Sequence, residues 1–239
     1  MRRWPPMSRI NARRHRGRRD ECGIAALNMA ARFITLEGIE GVGKTTQVTR
    51  LSAALNSRGI AHVVTREPGG TPLAESIRQV VLTARDEPLP PTAELLLMFA
   101  ARAVHLANHI EPNLQAGHWV ICDRFTDASY AYQGGGRQMS ADLIRELEHM
   151  VQGARRPDLT ILLDAPVDRA MARAAARNLG SVQDRFENER SEFFERVRAA
   201  YRARAAAEPN RIVVVDAAQP IEEVGARILE HLKALAWIS

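Results

Sequence analysis

From residue 33 onward the chain alternates two kinds of hydrophobic pattern. Five short apolar runs, FITLE (33 to 37), AHVVTREP (61 to 68), HWVICDRF (118 to 125), LTILLDAP (159 to 166) and RIVVVDA (211 to 217), lack clean alternation of apolar and polar positions. Such runs predict parallel strands buried on both faces. Between them, apolar residues recur at helical spacing over 46 to 57, 72 to 84, 92 to 116, 140 to 152, 167 to 178, 186 to 207 and 220 to 236. In the first of these Val48, Leu51 and Leu55 share a face before Arg58-Gly59 ends the run. The alternation predicts an α/β doubly wound sheet of about five parallel strands. Ligands of such folds bind beyond the carboxyl ends of the strands, where Glu37, Arg66, Asp123, Arg124 and Asp164 fall. With no internal repeat and no linker, residues 29 to 239 read as one domain.

Charge adds one correction to this picture. The net charge of +5 over 239 residues comes from the first 28, which hold eight Arg against only Asp20 and Glu21. The remainder is close to neutral, so the basic balance does not mark the domain as a nucleic-acid binder. The extension has neither hydrophobic periodicity nor the apolar run of a secretory signal and is expected to be disordered. It reads as a nucleic-acid or membrane-surface arm, a targeting segment, or translation upstream of a start at Met29, the last being favoured because Met29 stands just before the first strand. Two cysteines, Cys22 and Cys122, cannot make a disulfide framework or a metal site, which points to a cytoplasmic protein. No run approaches 18 apolar residues, so no membrane span is expected.

The first strand leads directly into GIEGVGKTT. Gly38, Gly43, Lys44 and Thr45 fill the G-x-x-x-x-G-K-[ST] pattern, whose backbone N–H groups, with Gly41, Val42 and Thr46 among them, would cradle a nucleoside triphosphate. Lys44 would reach the β and γ phosphates and Thr45 would hold Mg²⁺, with the phosphates at a helix N-terminus. Beyond ATP's needs, Arg66 and Arg124 stand at strand ends and Arg78 on the helix after Pro68-Gly69-Gly70. Three more guanidinium groups at one place imply a second anionic group, since Arg grips phosphate bidentately. Pattern and spacing therefore reach a P-loop kinase with a second phosphate pocket.

The motifs GIEGVGKTT, REPGGTPLAE, ELLLMFAAR and DRFTDASYAYQGGGR, in that order, resemble bacterial thymidylate kinase, from about Phe33 to the C-terminus. The resemblance implies the nucleoside monophosphate kinase fold, the reaction ATP + dTMP → ADP + dTDP with Mg²⁺, and a homodimer, with no nucleic-acid or membrane partner. By the same resemblance Arg66, Arg78 and Arg124 would hold the thymidylate phosphate. Asp123 would order Mg²⁺ or the acceptor, Glu40 would meet the sugar 3′-hydroxyl, and Glu67 would approach the acceptor. Arg102 would donate to thymine O4, Ser129 and Gln133 would bond the base edge, and Tyr132 would disfavour a 2′-hydroxyl. Where relatives often place the phenylalanine that stacks on thymine this chain has Met98, so Phe99 is expected to stack and Met98 to flank; Ala128 replaces a frequent Ser. Gly41 stands where one branch of the family has an arginine. The transition-state charge is therefore assigned to a lid over about 172 to 190, through Arg173 and Arg177 with Arg185 nearby, oriented by Asp184, Glu187 and Glu189. Adenine is placed near residues 217 to 220. The alternative is a P-loop ATPase that binds nucleic acid through its basic extension.

Overall fold

The computed structural model describes residues 30–84, 86–177, 186 and 189–239, without the side chain of Arg177. The expected disordered extension and the lid residues Asp184, Arg185 and Glu187 lie outside the described residues.

All five apolar runs are strands of one parallel sheet: β1 (Phe33–Glu37), β2 (His62–Arg66), β3 (Trp119–Asp123), β4 (Leu159–Asp164) and β5 (Ile212–Asp216), ordered β2-β3-β1-β4-β5. β1 is central and buried along its whole length, which is why its sequence shows no alternation. The outer strands are less covered, and Val64 and Val214 are about half exposed. Helix α1 (Lys44–Asn56) leaves the loop after β1 and packs Val48, Leu51 and Leu55 on the core, beginning two residues earlier than the apolar spacing indicates. α2 (Pro72–Leu82) starts with Thr71 accepting from the Ala74 N–H and with proline in its first turn.

Two stretches depart from the hydrophobic pattern. The single helix expected over 92 to 116 is α3 (Pro91–His105), a π-helical turn over Leu106–Ile110, and α4 (Glu111–Gln115). Pro112 has no N–H to give the ladder, which widens just before it. The second stretch is helical where no helix was expected: α5 (Thr126–Ser129) runs into a π-helical segment over Tyr130–Gly136, despite three consecutive glycines. The glycines serve a close contact with a later helix. A Cβ on Gly135 would lie 2.6 Å from Ala200 Cβ, and one on Gly136 2.4 Å from the Phe193 ring. Those partners belong to α8 (Ser191–Ala207), which follows α6 (Ala141–Gln152) and α7 (Val167–Arg177) and precedes α9 (Ile221–Ala234). α8 begins at Ser191 rather than at 186.

Candidate active site

Sheet order determines what meets what. The glycine-rich loop leaves central β1, while Arg66 and Asp123, register partners at the ends of β2 and β3, stand to one side of it. The loop after β5 stands to the other. Together they line a cavity of about 1000 Å³, bounded by residues 40 to 47, Arg66, Glu67, Arg78, Asp123, Arg124, Arg173 and the segment 217 to 222. Gly38, at φ 135°, is not among the lining residues, but its carbonyl accepts from Lys44 and Arg124, which are. The sequence assignments for the triphosphate, the acceptor arginines, the lid Arg173 and the adenine loop thus converge on one space. Gly41, at φ 76°, backs onto α7: a Cβ there would fall 1.9 Å from the Ala170 carbonyl. No arginine fits at that position.

Within the loop, Lys44 is folded back, its Nζ donating to the carbonyls of Ile39 at 2.9 Å and Gly38 at 3.1 Å. Burial, and after it the Arg124 guanidinium, lowers its pKa, opposed by Glu40, Asp123 and Glu37. Arg124 is a non-glycine residue at φ 70°. Its Nη1 donates to Gly38 O at 2.8 Å and to the Tyr201 hydroxyl at 3.1 Å; its Nη2 donates to Glu40 at 2.5 Å and to the Tyr132 hydroxyl at 3.0 Å. Its guanidinium lies over the Tyr132 ring. Both Nη groups are engaged, so an anion that binds them displaces a present partner, and of these partners Glu40 is the one that lines the cavity. Arg66 Nη2 donates to both carboxylate oxygens of Glu75, at 3.0 and 2.9 Å, and Arg78 donates to Pro68 O at 2.9 Å. Asp123 Oδ1 is buried without a hydrogen-bond partner.

The residues assigned to the base do not line this cavity; they form a buried layer beside it. Arg102, 1% exposed, donates Nε to Glu67 at 2.7 Å and Nη2 to Ser129 Oγ and Phe125 O, both at 3.1 Å, leaving Nη1 without a partner. Gln133 donates Nε2 to buried Glu94 at 2.7 Å, and its Oε1 is likewise unpaired. One unpaired donor and one unpaired acceptor, both buried, are what a base edge would satisfy. The Phe99 ring, expected beneath the thymine, carries the Arg102 guanidinium at 4.7 Å and packs with Leu95 and Ile144, whereas Met98 shares a cluster with Tyr132. Of the segment expected to form a lid, Arg173 donates to Ala217 O at 2.9 Å, Phe186 meets the Tyr132 ring edge-on, and Glu189, expected to orient the lid arginines, pairs with Arg137.

Several contributors escaped the sequence reading. His105 holds the second oxygen of Glu67 at 3.1 Å and meets Thr65 Oγ1 at 2.7 Å. Glu94 and Arg137 back Gln133. Two of these left a signal: Glu94 and His105 are, with Arg102, the polar positions on the buried face of α3, a placement that requires a buried partner. Tyr201 left none, because it continues an ordinary apolar stripe.

For Mg²⁺, the donor set fits. The Thr45 hydroxyl opens the exposed first turn of α1 and the Asp123 carboxylate keeps a buried oxygen free, both hard oxygen donors. No group of three or more His, Cys, Asp or Glu side chains suited to a metal occurs among the described residues, so the remaining ligands would be phosphate oxygens and water.

Comparison with known proteins agrees with this geometry. The thymidylate kinase family model matches residues 36–228. A thymidylate kinase of Alkalilimnicola ehrlichii is 54% identical over 210 residues, 87% of this chain and 96% of the relative. One of Chromohalobacter salexigens is 57% identical over 202 residues, covering 84% and 94%. The crystal structure of thymidylate kinase from Ehrlichia chaffeensis superposes with a TM-score of 0.69 at 32% identity, covering 85% of this chain and 99% of that one. With the P-loop on central β1, the arginines beside it and the match over most of its length, the chain belongs to the thymidylate kinase family.

Proposed function

We infer that this chain phosphorylates dTMP to dTDP with ATP, the donor lying on the β4–β5 side of the P-loop and the acceptor on the β2–β3 side. The observation that carries the reading is the division of the cavity. Arg66, Arg78 and Arg124 lie on the β2–β3 side and the segment 217 to 222 on the other, with Lys44 between. Phosphoryl transfer asks little covalent work of the protein, so placing two anions in line and neutralising their charge supplies most of the rate.

In this mechanism the triphosphate takes the N–H groups of residues 41 to 46, and Lys44 swings from the Gly38 and Ile39 carbonyls onto the β and γ phosphates. The acceptor phosphate displaces Glu40 from Arg124, joined by Arg66 and Arg78. Glu40, released, accepts the sugar 3′-hydroxyl. Arg102 Nη1 donates to thymine O4, Ser129 and Gln133 meet the base edge, Met98 and Phe99 supply its apolar floor, and Tyr132 closes the wall at the 2′ position. Thr45 and Asp123 would hold Mg²⁺, which supplies charge neutralisation at the transferring phosphate. Arg173 and Arg177 cover that phosphate from the lid, Gly41 having no room for a charge.

Two further readings belong here. Leu96 on α3 and Leu143 and Met150 on α6 are exposed apolar side chains on neighbouring helices, which supports a homodimer through this face. No helix among the described residues is long and apolar enough to cross a membrane, and the buried free Cys122 accords with a cytoplasmic enzyme. Product analysis with ATP, Mg²⁺ and dTMP tests the function: dTDP and ADP are expected in equal amounts. ATP hydrolysis without dTDP, stimulated by nucleic acid, contradicts the reading and favours an ATPase.

A further inference from the structure

Arg124 holds a left-handed φ of 70° that is strained for a non-glycine residue, and such conformations persist only where the surroundings over-determine them. The determinants are visible. The Arg124 N–H donates to Leu36 O at 3.0 Å, and the next N–H, of Phe125, donates to Glu37 Oε1 at 2.7 Å. The other oxygen of the same carboxyl group, Oε2, accepts the Tyr201 hydroxyl at 2.7 Å, and that hydroxyl oxygen accepts Arg124 Nη1 at 3.1 Å. One fully buried side chain therefore grips Arg124 twice, by the peptide that follows it and, through Tyr201, by its guanidinium. Neither Glu37 nor Tyr201 lines the cavity.

We propose that Glu37 and Tyr201 are positioning residues that aim Arg124 at the acceptor phosphate, acting as a relay from the core of the sheet to the substrate. The proposal rests on the reading of Arg124 as an acceptor-phosphate ligand. The direction of the hydrogen bonds sets its protonation requirement. The Tyr201 oxygen receives the Arg124 donor, so its single proton must go to Glu37. Glu37 Oε1 accepts from Phe125, so both carboxyl oxygens act as acceptors and the relay is strongest when the carboxyl is ionised. Burial, then the neighbouring Asp127, pushes Glu37 up to about 8, against the pull of Arg124, Tyr201 and Phe125. The other groups that act on it are Lys44 of α1, Cys122 of β3 and Tyr132 of the π-helical segment. The relay thus strengthens as pH rises through that value.

Steady-state kinetics with both substrates varied provide the test. Tyr201→Phe keeps the ring and removes only the bridging hydroxyl. It is expected to raise the KM for dTMP roughly tenfold or more, the scale of a lost hydrogen bond to a charged group, with the KM for ATP within about twofold. Wild-type kcat/KM for dTMP should rise with an apparent pKa near 8, and Glu37→Gln should flatten that profile at its lower level. Should Glu37→Gln fail to fold, the Tyr201→Phe split decides alone. Equal changes in both KM values, no change in either, or an inflection that survives in Glu37→Gln overturns the relay. Wild-type turnover of dTMP is measured first. Its absence removes the acceptor reading and the relay with it, whereas normal wild-type turnover with an unaltered Tyr201→Phe contradicts the relay alone.

Discussion

Arg102, proposed above to read the base, also has a structural role that can be measured separately. Its charge is out of water, offset by Glu67 at 2.7 Å and by the faces of Phe99 and Phe125. Deleting one member of such a pair strands the other. Arg102→Met is therefore expected to lose on the order of 3 to 5 kcal/mol of unfolding free energy in urea, and the double variant Arg102→Met/Glu67→Leu should recover much of that loss. Additive losses in the double variant would show that the pair is not coupled. At this scale the sequence was legible wherever spacing alone defines the local structure, as at the loop that carries Lys44 and Thr45 to the cavity. It was illegible wherever partners lie far apart in the chain: nothing in the order of residues says that Arg102 closes on Glu67, or that Tyr201 reaches Glu37.

Among elements, the contact between the π-helical segment Tyr130–Gly136 and α8 is the one that propensity mispredicts. Helix propensity alone gives Gly→Ala a gain of about 1 kcal/mol. Gly136→Ala meets the Phe193 ring at 2.4 Å, and overpacking of that kind costs typically 1 to 3 kcal/mol. We expect net destabilisation for Gly136→Ala and near neutrality for Gly134→Ala, whose Cβ would meet only the flexible end of Ile144 at 3.2 Å, both read by chemical denaturation. A stabilised Gly136→Ala would refute the packing argument. This stretch could not be read from the chain because its glycines answer to a helix some 60 residues later, whereas the five strands carry their burial in their own composition. The lid makes its own prediction. An interaction formed in the transition state lowers kcat and spares KM. Arg173→Ala with Arg177→Ala is expected to cut kcat on the order of 10³-fold while the KM for dTMP stays within a few fold. Near-normal kcat in that double variant would leave charge neutralisation to Lys44, Mg²⁺ and the acceptor arginines.

Over the whole molecule, function follows from strand order. Placing β3 between β2 and β1 brings Arg66, Asp123 and Arg124 beside the P-loop, and placing β4 and β5 on the opposite side brings the segment 217 to 222 to its other flank. Alternation of strands and helices foretold a doubly wound sheet, but the order arises from three-dimensional crossovers that composition does not encode. Thymine recognition by the buried layer beside this cavity is open to test by a coupled ADP-release assay across dTMP, dUMP, dCMP, dGMP and UMP. We expect dTMP to lead dUMP by roughly tenfold to a few hundredfold, the value of about 1 to 3 kcal/mol for one methyl group in an apolar pocket. dCMP should fare worse still, because its 4-amino donor would face the unpaired donor Nη1 of Arg102. Equal kcat/KM for dCMP and dTMP would contradict the claim.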